Sequence, residues 1–404
     1  MATELYGVDA RLVSSIGTTP ISTNTNLIFI GACPTGDLNK PVLITSMSDY
    51  ASKLGGGFGD GYNLTDAAIA AFMIANIDKC WMIPVSHSRI YDVEDYVNVQ
   101  DRTGILTINN LLVNNPSTVN IFCMPCVSDV VALGLLDELA SHLNSFIVYD
   151  LPQAMNQVDP NGIAHIDTIV EAKTLISERA RAVWGSVMFS DYPISGAAVQ
   201  ACLMAVSDAN YGVPARCGGN LQVDSVQNIC IKFSVTEADR PERIIVATVN
   251  LTDIEATKLS ADGICSWINY GGGNWRTWGD HTSVYSAGSV DDERARFDNY
   301  IRMQMMLANR FKLKYRFSID DPMTLQMRND VITEEEDYLN SLVAIGALIG
   351  QPKVEFVPAD NTIDQVAQGY FTWSISTTEA PPLKYMLAKI AYTQAGLDVF
   401  TQEG

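Results

Sequence analysis

The sequence predicts a protein of mixed α/β and α+β class: a doubly wound α/β domain over residues 21–256, an α+β core domain over 257–380, and extended arms at 1–20 and 381–404. Three observations predict it. Short apolar runs alternate with helical patterns along residues 27–189, as strands joined by crossover helices do in a mainly parallel sheet. Two long helical patterns and an alternating strand follow a tryptophan-rich stretch at 263–282. The N-terminal stretch has too little periodicity to pack alone, and the C-terminal tail is strand-like but returns to no obvious core.

The first twenty residues mix single apolar side chains with Gly7, Gly17 and Pro20 and read as an arm. LIFIG at 27–31 is a short buried strand closed by a glycine. PVLITS leads to a helix whose start, Ser46-Met47-Ser48-Asp49, sets a hydroxyl and a carboxylate three apart, as a capping box does. That helix stops at Gly55. An alanine-rich helix over 64–77 feeds the strand CWMIPV. The alternation continues through VNIFCMP (strand), SDVVALGLLDELASHL (helix), SFIVYDLP (strand), a helix over 166–182 and AVWGSVMF (strand). ICIKFSV and IIVATV flank the polar loop TEADRPER and predict a hairpin. Thr252 and Glu255 form a second capping box, for a helix ending at Gly263.

A β-like run at 264–270 then meets Gly271, Gly272 and Gly273, which turn where a Cβ would clash. Trp275, Arg276, Trp278 and Gly279 follow; on the residues alone they read as a hairpin corner whose tryptophans pack inward with the arginine stacked on them. Residues 289–292 cap a long helix over 291–317, rich in basic side chains. A second helical pattern follows Pro322, with apolar residues at Leu325, Ile332 and Leu339 and at Val331, Tyr338, Leu342 and Ile345. Whether Thr333 caps a separate helix or lies inside one stays open at this level. YFTWSIS at 370–376 alternates Phe371, Trp373 and Ile375 with polar neighbours, as a half-buried strand does. Beyond Pro381 and Pro382 the tail is strand-like and apolar on both faces, with Leu383, Tyr385 and Leu387 against Met386, Ile390 and Tyr392.

Composition excludes several classes. A chain of 404 residues is too long for one ordinary core and buries enough apolar surface to fold without staples. Its 26 basic and 46 acidic side chains leave a net charge of −20, which repels nucleic acid and anionic lipid alike. The eight cysteines are spread along the chain and read as reduced thiols. No apolar run approaches the ~20 residues a membrane helix needs.

Candidate chemistry is thin. GGGFGDG at 55–61 follows a helix rather than a strand and lacks the spacing and the Lys-Ser/Thr of a phosphate loop. Cys123 and Cys126 have the spacing of a redox pair, and Asp150 ends a strand where doubly wound folds hold ligands; together they define an alternative reading, a cytoplasmic α/β enzyme. The four histidines show no paired metal-ligand spacing, so neither a metal nor a cofactor is expected. Acidic runs at 291–293 and 334–337 sit near helix starts and read as caps.

The order of motifs resembles the tail sheath proteins of contractile-tailed bacteriophages and related contractile injection systems. It runs from TPISTNTNLIFIGACPTGDLNKPVLITSMSDYASKLG through VNIFCMPCVSD, FIVYDLP and GVPARCGGNLQVDSV to LSADGICSWINYGGGNWRTWGDHT, DNYIRMQM, DDPMT, LVAIGALIG and APPLKYMLAKIAYTQ. Two positions depart from the pattern. His281 stands where the family usually has arginine, and the family's Pro-Gly-Val opening is reduced to Gly7-Val8. The resemblance implies a structural subunit, not an enzyme, that stacks as hexameric discs around an inner tube and contracts. Its partners would be further copies, the tube protein, and baseplate and tail terminator proteins, in a virion tail assembled in the host cytoplasm. Neighbouring subunits would exchange terminal strands, here Leu12 and Val13 at one end and Leu383, Tyr385, Leu387, Ile390 and Tyr392 at the other. Clustered positive charge in an acidic chain makes Arg302, Arg310, Lys312, Lys314 and Arg328 the tube-facing candidates. Trp275, Arg276, Trp278, Gly279 and His281 form the core motif.

Overall fold

The computed structural model describes residues 24–88, 93–98, 103–235 and 243–400; the N-terminal arm with Leu12 and Val13, and most of the TEADRPER loop, lie outside the described residues. In chain order the first elements are β1 (Asn26–Ala32), β2 (Val42–Ile44), α1 (Met47–Leu54), α2 (Asn63–Ile69), β3 (Cys80–Ser86), α3 (Val93–Tyr96), β4 (Val97–Asn98), β5 (Thr103–Gly104) and α4 (Thr107–Asn114). Next come β6 (Asn120–Met124), α5 (Val130–His142), β7 (Phe146–Asp150), α6 (Ile166–Glu171), β8 (Ala180–Val183), β9 (Ser186–Phe189), β10 (Tyr192–Ile194) and α7 (Gly196–Tyr211). The remainder is β11 (Gln222–Val223), β12 (Asn228–Val235), β13 (Arg243–Thr248), α8 (Asp253–Ala261), β14 (Ile264–Asn269), β15 (Trp275–Trp278), α9 (Asp298–Tyr315), α10 (Leu325–Ala344), β16 (Lys353–Glu355), α11 (Ile363–Ala367) and β17 (Ser374–Ser376).

Nine strands form one sheet in the order β11-β15-β14-β8-β7-β6-β1-β3-β2. Its middle, from β3 across to β14, is parallel throughout, the arrangement expected when helices cover both faces. The strand at 264–269 pairs with β8 through Ile264↔Ala182 and Cys265↔Val183, so residues 264–278 complete the sheet that begins at Asn26. A domain boundary at 256/257 therefore cuts across this sheet. A second, antiparallel sheet runs β10-β9-β12-β13 and contains the expected hairpin.

Local chemistry explains the ends of many elements. Ser46 accepts from Asp49 N at 3.1 Å and Gly55 closes α1 at φ 72°, while Thr252 and Glu255 make the reciprocal cap of α8. Four expectations need correction. AVWGSVMF is not one strand: Gly185 takes φ 90° and splits it into β8 of the large sheet and β9 of the small one. The helix expected over 166–182 ends at Glu171, since 180–183 is needed as a sheet strand. The helix expected from 291 begins only at Asp298, after a 3-10 turn at Glu293–Ala295. Between them Phe297 bridges His281, and Asp298 N donates to Asp280 O at 3.1 Å, so tertiary pairing claims the backbone a helix would use. YFTWSIS contributes only Ser374–Ser376 as strand, paired with β16. The open question at Thr333 resolves as a single helix capped by Thr324.

A sixteen-residue helix, α7, was not anticipated. It is buried almost all round, so it has no polar face to reveal a 3.6-residue period. Its ends were readable: the Ser195 hydroxyl accepts from Ala198 N at 3.0 Å and Gly212 turns at φ 77°.

A small second core gathers Met303, Met306 and Leu307 of α9 against Leu339 and Leu342 of α10 and Val354 of β16. Helix α9 also places Ile301 and Met305 in the main core, so it joins the two. The join is polar as well. Arg181 of β8 and Asp298 at the start of α9 form an ion pair with both side chains fully buried, and Arg181 also donates to Gly279 O. Replacing Asp298 with alanine leaves that guanidinium buried without a counter-charge, and a loss of about 3–5 kcal/mol is expected. Urea unfolding of the variant, monitored by circular dichroism, measures it.

Candidate assembly interface

In a doubly wound sheet a ligand belongs in the crevice at the carboxyl ends of the strands where the winding direction reverses, here between β1 and β6. That crevice is filled by the chain itself. Asn63, first residue of α2, accepts from Ala32 N at 2.6 Å and donates to Pro125 O at 3.0 Å, bridging the two strand ends. Gly31 is required beneath it, because a Cβ there would lie 2.4 Å from the Asn63 carbonyl oxygen.

Asp150 is likewise spent on structure. It accepts from Cys126 N at 2.7 Å, from the Ser195 hydroxyl at 2.6 Å and from Ala197 N at 2.9 Å, tying β7 to the start of α7. Burial raises its carboxyl above the usual range in spite of those donors. Cys123 is buried in β6, and burial drives its thiol well above the ordinary cysteine value, opposite to what a redox nucleophile needs. Cys126 sits 3.5 Å from the Asp66 carboxylate, again the wrong neighbour for a thiolate. The geometry thus removes the support for the alternative reading. Among the described residues no group of three His, Cys, Asp or Glu side chains is placed to hold a metal, and no helix is long and apolar enough to cross a membrane.

The basic helix divides. Arg302 is 2% exposed and paired with Asp208, so its charge faces inward and not toward a tube. Arg310 pairs with Glu335 of α10 and stacks 3.6 Å over the Tyr338 ring, and Lys314 reaches Glu334 at 2.7 Å and Glu335 at 3.0 Å. These cations hold α9 to α10. Lys312 is exposed, and Arg328 is half-buried with its guanidinium on Asn329 and 5.7 Å from the Phe356 ring. The acidic run 334–337 lies inside α10 and supplies partners rather than a cap.

The core motif begins in β15, one strand in from the β11 edge of the large sheet. Trp275 is buried and its Nε1 donates to Gln227 O at 3.3 Å, while the Trp278 Nε1 donates to Thr257 Oγ1 at 3.2 Å. Arg276 does not stack on the tryptophans; it donates to Asn220 O at 3.1 Å and to Gln222 Oε1 of β11 at 3.3 Å, and lies 6.0 Å from the Tyr270 ring. Gly279, at φ 111°, turns the chain toward His281. That imidazole stacks on Tyr285 with ring centroids 3.6 Å apart, and burial lowers its pKa below the ordinary histidine value.

The C-terminal arm leaves from beside this motif. Ala380 is held twice, by Asn299 Nδ2 donating to its carbonyl at 3.1 Å and by its own N–H on Ala347 O at 3.2 Å. Beyond it, among the described residues, no backbone hydrogen bond joins 381–400 to the rest of the subunit. Leu383, Tyr385, Leu387, Ile390 and Tyr392 are each 64–94% exposed, and among the described residues no strand pairs with this segment. Among the described residues, the two-stranded sheet of β16 and β17 has an unpaired outer edge on each strand.

No protein-family model matches the chain. It is similar to a putative prophage major tail sheath protein of Pseudomonas aeruginosa (strain UCBPP-PA14), 23% identical over 358 residues covering 87% of this chain and 85% of that protein. Among solved structures it is similar to the sheath complex of an extracellular contractile injection system in the contracted state, with TM-score 0.67, 15% identity, 98% of this chain and 100% of the other covered. The contracted helical sheath of the anti-feeding prophage gives TM-score 0.67 at 16% identity, covering 97% and 100%. The sheath tail protein of Desulfitobacterium hafniense gives 0.52 at 12%, covering 86% and 93%.

If Arg310 clamps two helices and Lys312 only faces outward, their reversal to glutamate has unequal effects. Arg310→Glu is expected to cost roughly 3–5 kcal/mol, and Lys312→Glu less than ~0.5 kcal/mol. Urea midpoints of the two variants compare them.

Proposed function

Taking as premise the resemblance to contractile tail sheath proteins, borne out by the curated relative and by the fold of the solved sheaths, we propose that this chain is the structural subunit of a contractile tail sheath. In this reading copies of the chain stack as hexameric discs around an inner tube, are bounded by baseplate and terminator proteins, and repack on triggering to drive the tube through a target envelope. The particle is a virion tail or a related contractile device put together in the cytoplasm of its host.

The observation that carries the reading is the arm at 381–400. It is rooted in a well-packed subunit yet exposes apolar side chains on both faces, a state that is an aggregation hazard for an isolated chain. A neighbour's open strand edge would bury both faces and satisfy the bare backbone, and β16 and β17 offer such edges. Assembly by exchanged strands also lets a lattice change its packing without parting its subunits. Lys312 and Arg328 are the remaining candidates to face the tube, where a few charges grip weakly enough to release.

Deleting residues 381–404 tests this directly. The full chain is expected to form tubes in negative-stain micrographs, and the shortened chain to keep its circular dichroism spectrum and solubility but form none. Unfolding of the shortened chain would place the tail in its own core, and tubes formed without it would end the strand-exchange mechanism.

A further inference from the structure

Just past its root the arm makes one more attachment, through a side chain. The Lys384 ammonium contacts Asp280 Oδ1 and lies 3.4 Å from His281 Nε2. The tautomer of His281 follows from its other nitrogen: Nδ1 lies 2.8 Å from Arg296 O, a carbonyl that can only accept, so Nδ1 carries the proton and Nε2 presents a lone pair to the ammonium. Lys384 thus donates to a carboxylate and to a neutral imidazole together. The two anchors of the arm differ in kind. Ala380 is held by a backbone bond and a buried asparagine, whereas the Lys384 side chain is 45% exposed and its hold is electrostatic.

We propose that Lys384, docked on Asp280 and His281, is a releasable latch on the C-terminal arm, closed in the free subunit and opened when a second copy takes the arm up. With the latch closed the chain is pinned at residue 384; with it open the pivot retreats to Ala380 and the free arm gains four residues, about 13 Å of reach at ~3.3 Å per residue. The inference rests on the sheath reading for the identity of the partner, but the latch itself belongs to the free subunit. A permanent cation at position 281 would repel Lys384, and a neutral imidazole accepts from it.

The same geometry makes the latch sensitive to acid. Protonation turns Nε2 from acceptor into a cationic donor 3.4 Å from the ammonium and 3.5 Å from Asp280 Oδ1, so the imidazolium both repels Lys384 and competes for its carboxylate. Around the ring, Lys384 and Arg181 of β8 disfavour the imidazolium, while Asp280 and the Arg296 carbonyl at Nδ1 favour it. Burial holds the pKa of His281 below the ordinary value, so the latch is closed at neutral pH and opens only as pH falls below the usual histidine range.

The test places a nitroxide at Leu387→Cys in the full chain, with exposed Cys126 replaced by serine, and reads spin mobility in dilute free subunits. Restricted motion at neutral pH, release on acidification, release at every pH in Lys384→Gln, and loss of the pH response in His281→Gln are expected. Equal mobility in the parent and Lys384→Gln would overturn the latch, and an unchanged pH response in His281→Gln would overturn the role of the imidazole. Light scattering of unlabelled protein reads assembly: Lys384→Gln should assemble faster by roughly two- to fivefold, the population a part-exposed ion pair can hold. Assembly no faster than the parent would show that release does not limit it. A parent chain that forms no polymer while the spin-label results hold would sink the sheath reading and leave the latch standing.

Discussion

The contact on which the C-terminal third of the molecule hangs is the buried pair of Arg181 and Asp298. Arginine in the middle of an apolar strand is costly to desolvate, and the cost is met by gathering acceptors from distant parts of the chain. Asp298 takes one Arg181 donor together with Gly218 N at 2.9 Å, and Gly279 O takes another. Strand β8, the loop before β11, the end of β15 and the start of α9 therefore converge on a single guanidinium. The carboxylate sits in the first turn of α9, where the helix dipole favours it. Gly218 has to be small, since a Cβ there would approach the Asp298 carboxylate to 2.9 Å.

From that junction α9 distributes the load. Its buried polar face meets a different segment at almost every turn: Asn299 holds Ala380, Arg302 holds Asp208, and Asn309 donates to Thr118 O and Asn144 O. Asp208 in turn accepts from Thr25 Oγ1 at 3.5 Å, next to the place where β1 begins. The first described residues and the root of the C-terminal arm are thus tied to one rigid element. That helix is wedged between the two cores, so both ends of the described chain are anchored to the same rigid body.

The charge distribution fits the same picture. A net charge of −20 with few basic residues would leave the body strongly self-repelling, and several of the basic residues are committed to internal pairs that staple α9 in place. The apolar side chains of residues 383–392 stand exposed beside this acidic surface. The doubly wound sheet contributes only a scaffold: its ligand crevice is plugged by Asn63, and its carboxylate at Asp150 caps a helix. Fold class alone would have suggested an enzyme.

By itself the sequence determined what depends on neighbours in the chain. Short apolar runs such as LIFIG and CWMIPV, the Ser46 and Thr252 caps and the turn glycines are local preferences, and each appears where the pattern put it. The motif order that carries the sheath resemblance is also linear information. The tertiary structure decided whatever depends on partners far along the chain. Residues 180–183 are strand because β7 and β14 offer edges on either side, and α9 starts late because His281 and Asp280 claim the backbone ahead of it. Helix α7 carries no amphipathic signal because it is covered on every side. Charge was the hardest feature to read. Arg302, Arg310 and Lys314 look like a binding stripe in one dimension, but Asp208, Glu334 and Glu335 meet them only once the helices have packed. A free cation and a paired one have the same letter, and only the fold brings the partner.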